Sequence, residues 1–280
     1  MSDARTYPAG VPCWIDTEQP DAPAARDFYT RVFDWTFTRA GESYWIATLH
    51  GQDVAGIGVA DSGAAEWNTY VAVDDAGEAA ARLAAAGGRV TSEPVGVGRA
   101  GRMAIADDPT GAQLRIWQAG ERPGAQLVNA AGAWNFSDLH THDVQAAKAF
   151  YATVFGWACD GVDLEGDAVA AMWRRPGYGD HLEATVDPDI RARQAAISAP
   201  PGFEDAIAWL ASSGPDETPH WHVTFAVADR DHVAAVAEGC GATVVSSEDT
   251  QWTKTALIRD PQGAELTLSQ FDPGAGESAG

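Results

Sequence analysis

Residues 28–35 read FYTRVFDW, and residues 150–157 read FYATVFGW. Phe28 with Val32, and Tyr29 with Phe33, are i, i+4 pairs on adjacent rows, which together make one apolar stripe along a helix. Phe150, Val154, Tyr151 and Phe155 repeat that stripe. Each copy then reaches a tryptophan, Trp35 or Trp157, where strand-like sequence begins. The phrase therefore reads as a packing device, the buried face of a helix that leads into its own copy's sheet. It carries no catalytic chemistry by itself.

Outward from the phrase the repeat grows. PCWIDTEQPDAPAARDFYTRVFDW (12–35) parallels WNFSDLHTHDVQAAKAFYATVFGW (134–157). NTYVAVDDAGEAAARLAAAGGRV (68–90) parallels HVTFAVADRDHVAAVAEGCGATV (222–244), and DPTGAQLRIWQ (108–118) parallels DPQGAELTLSQ (260–270). Asp16 stands 122 residues before Asp138, but Asp108 stands 152 before Asp260, so the second copy holds about 30 extra residues. These fall around 178–203, where DPDIRARQAA reads as a helix with an aspartate near its start. Each copy also splits in two: a strand, a helix and three further strands, bounded by Gly, Pro and Asp turns. The expected fold is α+β: four βαβββ units pairing into two open, cup-shaped curved sheets with helices outside. The expected domains are 11–118 and 133–271, joined by a Gly- and Pro-containing linker at 119–132.

A chain of 280 residues with 45% hydrophobic content is long enough for two such cores. The balance of 18 Lys and Arg against 40 Asp and Glu repels phosphate-rich partners, which argues against nucleic-acid binding. Cys13, Cys159 and Cys240 form no framework, which fits reduced thiols and a cytoplasmic protein. No apolar run approaches the length of a membrane span. GVGRAG (96–101) matches a dinucleotide fingerprint by letter, but no helix follows it, so it reads as a loop between two strands. The acid pairs Asp74-Asp75 and Asp107-Asp108 read as turn and helix-start residues.

Paired βαβββ units, the FYTRVFDW and FYATVFGW helix ends, and the DDPTGAQL and RDPQGAEL turns resemble the vicinal oxygen chelate superfamily. That superfamily includes glyoxalase I, bleomycin-resistance proteins and extradiol dioxygenases. The resemblance spans about residues 11–271 and is strongest to tandem, actinobacterial glyoxalase-like members. It implies metal ligands on the first and last strands of the units. The first-strand position, fourteen residues before each FY phenylalanine, carries Trp14 and Phe136. The corresponding later positions carry Asn68 and Arg115 in the first copy, His222 and Thr267 in the second. Trp, Asn and Arg cannot make the shell that Zn, Ni or Fe needs, and Phe with Thr leaves His222 short of partners. No metal and no cofactor is therefore expected.

What remains is aromatic and acidic. Strand alternation puts Trp14 with Asp16, Asn68 with Tyr70, and Arg115 with Trp117 on cup-facing positions, and likewise Phe136, Asp138 and His140. Flat apolar walls with a few polar groups suit a planar organic ligand, and a carboxylate beside rings suits a protonated amine. The expected function is metal-independent binding of an aromatic or cationic natural product, for sequestration and resistance or as an accessory to biosynthesis. The expected partner is a small molecule, with no membrane contact, on a monomer or homodimer. The alternative is an isomerase, lyase or oxygenase-type enzyme in the second copy, with His140 or His222 as general base beside Asp138, and with a metal as an option.

Overall fold

The computed structural model describes residues 4–60, 63, 65–161, 170–197, 199–214 and 216–273. The first copy runs β1 (Pro12–Gln19), α1 (Ala22–Phe33), β2 (Thr36–Arg39), β3 (Tyr44–Leu49) and β4 (Gln52–Val59). It continues with β5 (Glu66–Ala72), α2 (Ala76–Ala85), β6 (Arg89–Val97), β7 (Gly101–Asp107) and β8 (Gln113–Ala119). The second copy runs β9 (Trp134–Thr141), α3 (Val144–Phe155), β10 (Ala158–Gly161), β11 (Ala170–Arg174), α4 (Tyr178–Ala184), α5 (Ile190–Ala196) and β12 (Ala206–Ser212). It closes with β13 (His220–Ala226), α6 (Arg230–Gly239), β14 (Thr243–Asp249), β15 (Thr253–Arg259) and β16 (Glu265–Phe271). Each copy supplies one eight-stranded sheet, ordered β2-β3-β4-β1-β5-β8-β7-β6 and β10-β11-β12-β9-β13-β16-β15-β14. The sheets are mixed: β1 runs parallel to β4 and β5 to β8, whereas β2-β3-β4 and β6-β7-β8 are antiparallel.

Helix starts follow the sequence closely. Asp21, Asp75, Asp143 and Asp229 each accept a hydrogen bond from a backbone N–H three residues on, which satisfies a donor the first turn leaves open. The inserted segment forms two short helices, α4 and α5. Asp189, at the start of α5, makes no side-chain cap, and Asp187 instead accepts two bonds from Arg193. GVGRAG lies across a hairpin, its residues 98–100 forming the turn between β6 and β7. Among the described residues, no helix is long and apolar enough to cross a membrane.

The sheets follow the copies, but the hydrophobic cores do not. Contacts divide the chain into two compact bodies: Met1–Cys13, Thr69–Gly124 and Ser137–Trp221 in the first, Trp14–Asn68, Ala125–Phe136 and His222–Gly280 in the second. The first body's core joins Leu83 and Leu114 of one copy to Phe150, Tyr151 and Trp173 of the other. The second joins Phe28, Tyr29 and Trp35 to Val223, Phe225 and Leu268. Phe33 stacks on Phe225 at 4.9 Å, so the FY helix packs across the repeat as well as on its own sheet. Trp35, Trp67 and Trp134 fill the second core and Trp157, Trp173 and Trp221 the first, so six of the 11 tryptophans serve the scaffold.

Two buried tyrosine–aspartate bonds tie the recurring motifs together. Tyr151 Oη donates to Asp108 Oδ2 at 3.1 Å, and Tyr29 Oη donates to Asp260 Oδ2 at 2.9 Å. Each joins one copy's FY helix to the other copy's DPxG turn. Asp108 Oδ1 meanwhile accepts from the backbone N–H groups of Thr110, Gly111 and Ala112. Gly111 and Gly263 take φ of +101° and +109°, which only glycine adopts without strain. Burial, and then the neighbouring carboxylate, push both phenols well above their ordinary pKa.

Candidate functional site

In the second body, β1 and β5 bring three of the sequence-derived candidates together. Asp16 is fully buried, and Asn68 Nδ2 donates to its Oδ1 at 3.0 Å. Tyr44 Oη donates to Asp16 Oδ2 at 2.9 Å and accepts from Trp14 Nε1 at 3.0 Å. The result is a polar chain, Trp14 to Tyr44 to Asp16, with Asn68 on the carboxylate's other oxygen. A buried carboxylate is retained where donors hold it, and these two fix its plane.

Tyr44 escaped the sequence reading, although a signal existed. DVAGIGVA places Gly56 and Gly58 on one face of β4, and alternate glycines in a strand mark close approach. A Cβ at Gly56 would sit 1.9 Å from Tyr44 Oη and 3.0 Å from Asp16 Cβ. Gly56 is thus what lets the phenol reach Asp16.

The other first-copy candidates lie in the first body. Arg115 is buried, donates from Nη1 to Tyr70 Oη at 3.0 Å and places its guanidinium 5.5 Å from the Tyr70 ring centre. Trp117 meets Tyr70 edge-on at 6.4 Å and donates to the carbonyl of Arg122 at 2.8 Å. Cation–π contact and the hydroxyl acceptor are two of the contacts that hold this buried charge.

The second copy's candidates divide in the same way. In the second body, His222 Nε2 lies 2.8 Å from Thr267 Oγ1, and Phe136 is half-buried. In the first body, Asp138 stands beside Trp209 in the β9–β12 register. His140 Nδ1 lies 3.1 Å from Glu217 Oε1, and its ring stacks on His220 at 4.8 Å. Burial pushes the His140 imidazole below its ordinary pKa, helped by His220 and opposed by Glu217. Glu217 and His220 were missed because neither stands at a strand position that the superfamily resemblance implies. Glu204 lies in a short 3₁₀ turn before β12, and Asp205 in the same turn accepts from Gly179 N.

A cavity of about 240 Å³ opens in the second body between α1 and the DPQG turn. Two of its polar residues already hold the scaffold: Asp260 takes Tyr29 and Gln19, and Gln262 bonds the Asp21 backbone; Asp27 and Arg31 also line it.

Residues 19–116 match the glyoxalase/bleomycin resistance protein/dioxygenase superfamily, and residues 136–269 match the glyoxalase-like domain. A Mycobacterium tuberculosis protein named "Putative glyoxylase CFP32" is 34% identical, over 98% of this chain and 99% of that one. The chain belongs to the glyoxalase/bleomycin resistance/dioxygenase superfamily. Anthracycline biosynthesis protein DnrV of Streptomyces peucetius is 29% identical, over 98% of both chains. The Mn(II)-bound glyoxalase from Novosphingobium aromaticivorans shares the fold, with a TM-score of 0.61 at 14% identity, covering 94% of this chain and 82% of that one.

Metal-dependent members imply a cation at the strand positions carried over above. The donors there do not fit one. In the second body Trp14 and Asn68 offer one amide, whose nitrogen is turned to Asp16, and in the first body Arg115 offers a positive charge and no lone pair. Phe136, His222 and Thr267 offer one imidazole, and its Nε2 is engaged by the threonine hydroxyl. Neither set approaches the three or four strong donors that a stable divalent site uses.

Proposed function

We propose that the protein binds a planar, aromatic small molecule of natural-product type, with a protonated amine recognised by Asp16, and does so without a metal at the superfamily's strand positions. The observation that carries this reading is the buried Asp16 carboxylate, held by Tyr44 and Asn68 beside the Trp14 indole. It supplies a fixed anion and an aromatic face where metal-dependent relatives place ligands. Ion pairing and cation–π contact favour an amine there, and a flat ring system gains from stacking. The relatives named for anthracycline biosynthesis support a role beside an antibiotic pathway, as carrier, sequestering protein or accessory to an enzyme.

Tryptophan fluorescence tests this directly, with an anthraquinone carrying an amine side chain and one lacking it as probes. Saturable quenching should favour the amine, and Asp16→Asn should weaken that probe about tenfold or more while leaving the neutral probe nearly unchanged. Equal affinity of the two probes, or an Asp16→Asn variant that binds the amine as well as the parent does, overturns the assignment.

A further inference from the structure

His140, Glu217 and His220 form the one group of potential metal ligands found among the described residues, and their donor atoms all lie within 4.8 Å of one another. His140 sits near the end of β9, His220 opens β13, and Glu217 lies in the loop that precedes it. All three belong to the first body. We propose that these residues form a binding site for a divalent first-row transition ion of the zinc class, separate from the strand positions that the superfamily's metal-dependent members use.

Three observations support the assignment. The donor set is two imidazoles and a carboxylate, which suits Zn²⁺ and its neighbours and leaves a coordination position for water or a ligand. The rings are already oriented. His220 Nδ1 lies 2.9 Å from the Thr218 carbonyl, and a carbonyl only accepts, so Nδ1 carries the hydrogen and Nε2 keeps the lone pair. His140 Nδ1 faces Glu217 Oε1 at 3.1 Å, and His220 Nδ1 lies 3.8 Å from the same oxygen. The Thr218 carbonyl behind the His220 imidazole is the usual device for aiming the other ring nitrogen, leaving Glu217 as a ligand. Finally, the three side chains are 30%, 42% and 43% exposed, open enough for an ion to enter and for the ligands to close on it.

Zinc bonds of about 2.0–2.2 Å put ligand atoms roughly 3.4 Å apart in a tetrahedron, so the cluster must contract by about 1.5 Å at most. Side-chain rotation supplies that without moving either strand. The repeat offers an internal contrast: the aligned first-copy residues are Glu18 and Glu66, so the imidazole pair exists only in the second copy.

The test uses the full chain, stripped with chelator and titrated with Co²⁺, reading visible d–d absorption, followed by displacement with Zn²⁺. One equivalent of Co²⁺ should bind, with the absorption of a low-coordinate site that Zn²⁺ abolishes. His140→Ala and His220→Ala should each weaken binding at least tenfold, with Glu217→Gln weaker by a smaller factor. His232→Ala, an exposed histidine on α6, should leave binding within twofold. Far-UV circular dichroism checks that the variants remain folded. Absence of saturable Co²⁺ or Zn²⁺ binding by the parent chain overturns the site, as does a loss no larger in His140→Ala than in His232→Ala.

Discussion

The two copies carry the same tyrosine–aspartate tie with different partners. In the first body, Tyr151 donates to Asp108 and accepts from Trp221 Nε1 at 3.0 Å, so its hydroxyl is a two-bond relay. In the second body, Tyr29 donates to Asp260, and the aligned Trp67 indole makes a weaker, poorly aligned approach to the same hydroxyl. Asp260 instead gains a second donor, Gln19 Nε2 at 2.8 Å. A repeated motif thus preserves the tie that crosses the repeat, while its surroundings set how much depends on a single hydroxyl.

Substitution of that hydroxyl tests the comparison most strongly. Tyr151→Phe leaves two buried groups, Trp221 Nε1 and Asp108 Oδ2, without this partner and should cost about 2–3 kcal/mol in urea unfolding. Tyr29→Phe leaves Asp260 with Gln19 and should cost only about 1 kcal/mol. Equal losses would show that the relay through Trp221 adds nothing.

Alkaline pH should act on both ties together. Each phenol has a folded pKa raised above its unfolded value of about 10, so its contribution is fully present below pH 10. That contribution is lost as pH rises from there towards the folded pKa. Tyrosinate absorbance should therefore show Tyr29 and Tyr151 ionising only as the chain unfolds, and the Phe variants should remove those late steps. Ionisation of either residue near pH 10 in the folded chain would break the picture.

The smallest contrast is at the ends of the two FY helices. Asp34 and Gly156 both close their helix in the left-handed region, at φ of +58° and +70°. Glycine adopts this conformation freely and aspartate does not. Asp34→Gly should therefore raise stability by about 0.5–1 kcal/mol, and Gly156→Ala should lower it by about 1 kcal/mol. Thermal unfolding of the two variants reads both signs.

The elements were legible because each signal was local. Stripes such as Phe28-Tyr29-Val32-Phe33 gave the helices, the Asp74-Asp75 pair marked the start of α2, and the DPTG and DPQG turns marked the last hairpins. Residues on the strands could be placed by alternation, which puts Trp14 with Asp16 and Asn68 with Tyr70; that Asn68 meets Asp16 is a tertiary fact. Alternation failed at a strand end: Trp134 shares the parity of Phe136 but is buried in the second core. Tyr44, Glu217 and His220 were not legible. Tyr44 reaches Asp16 from a different strand over a glycine, and Glu217 comes from the loop before β13, where strand alternation does not apply.

By itself the sequence determined the family, the α+β class, the fourfold βαβββ architecture and the lack of a suitable donor set at the superfamily's metal positions. The class and the repeat follow from periodicity and turn chemistry, and the family with its metal positions from the resemblance of the repeated motifs, all read along the chain. Only the tertiary structure decided which units share a core, which carboxylate holds which tyrosine, and that two histidines converge on Glu217. Cores and clusters join residues far apart in sequence, such as Tyr29 with Asp260, and no local pattern specifies which of several equivalent faces will meet.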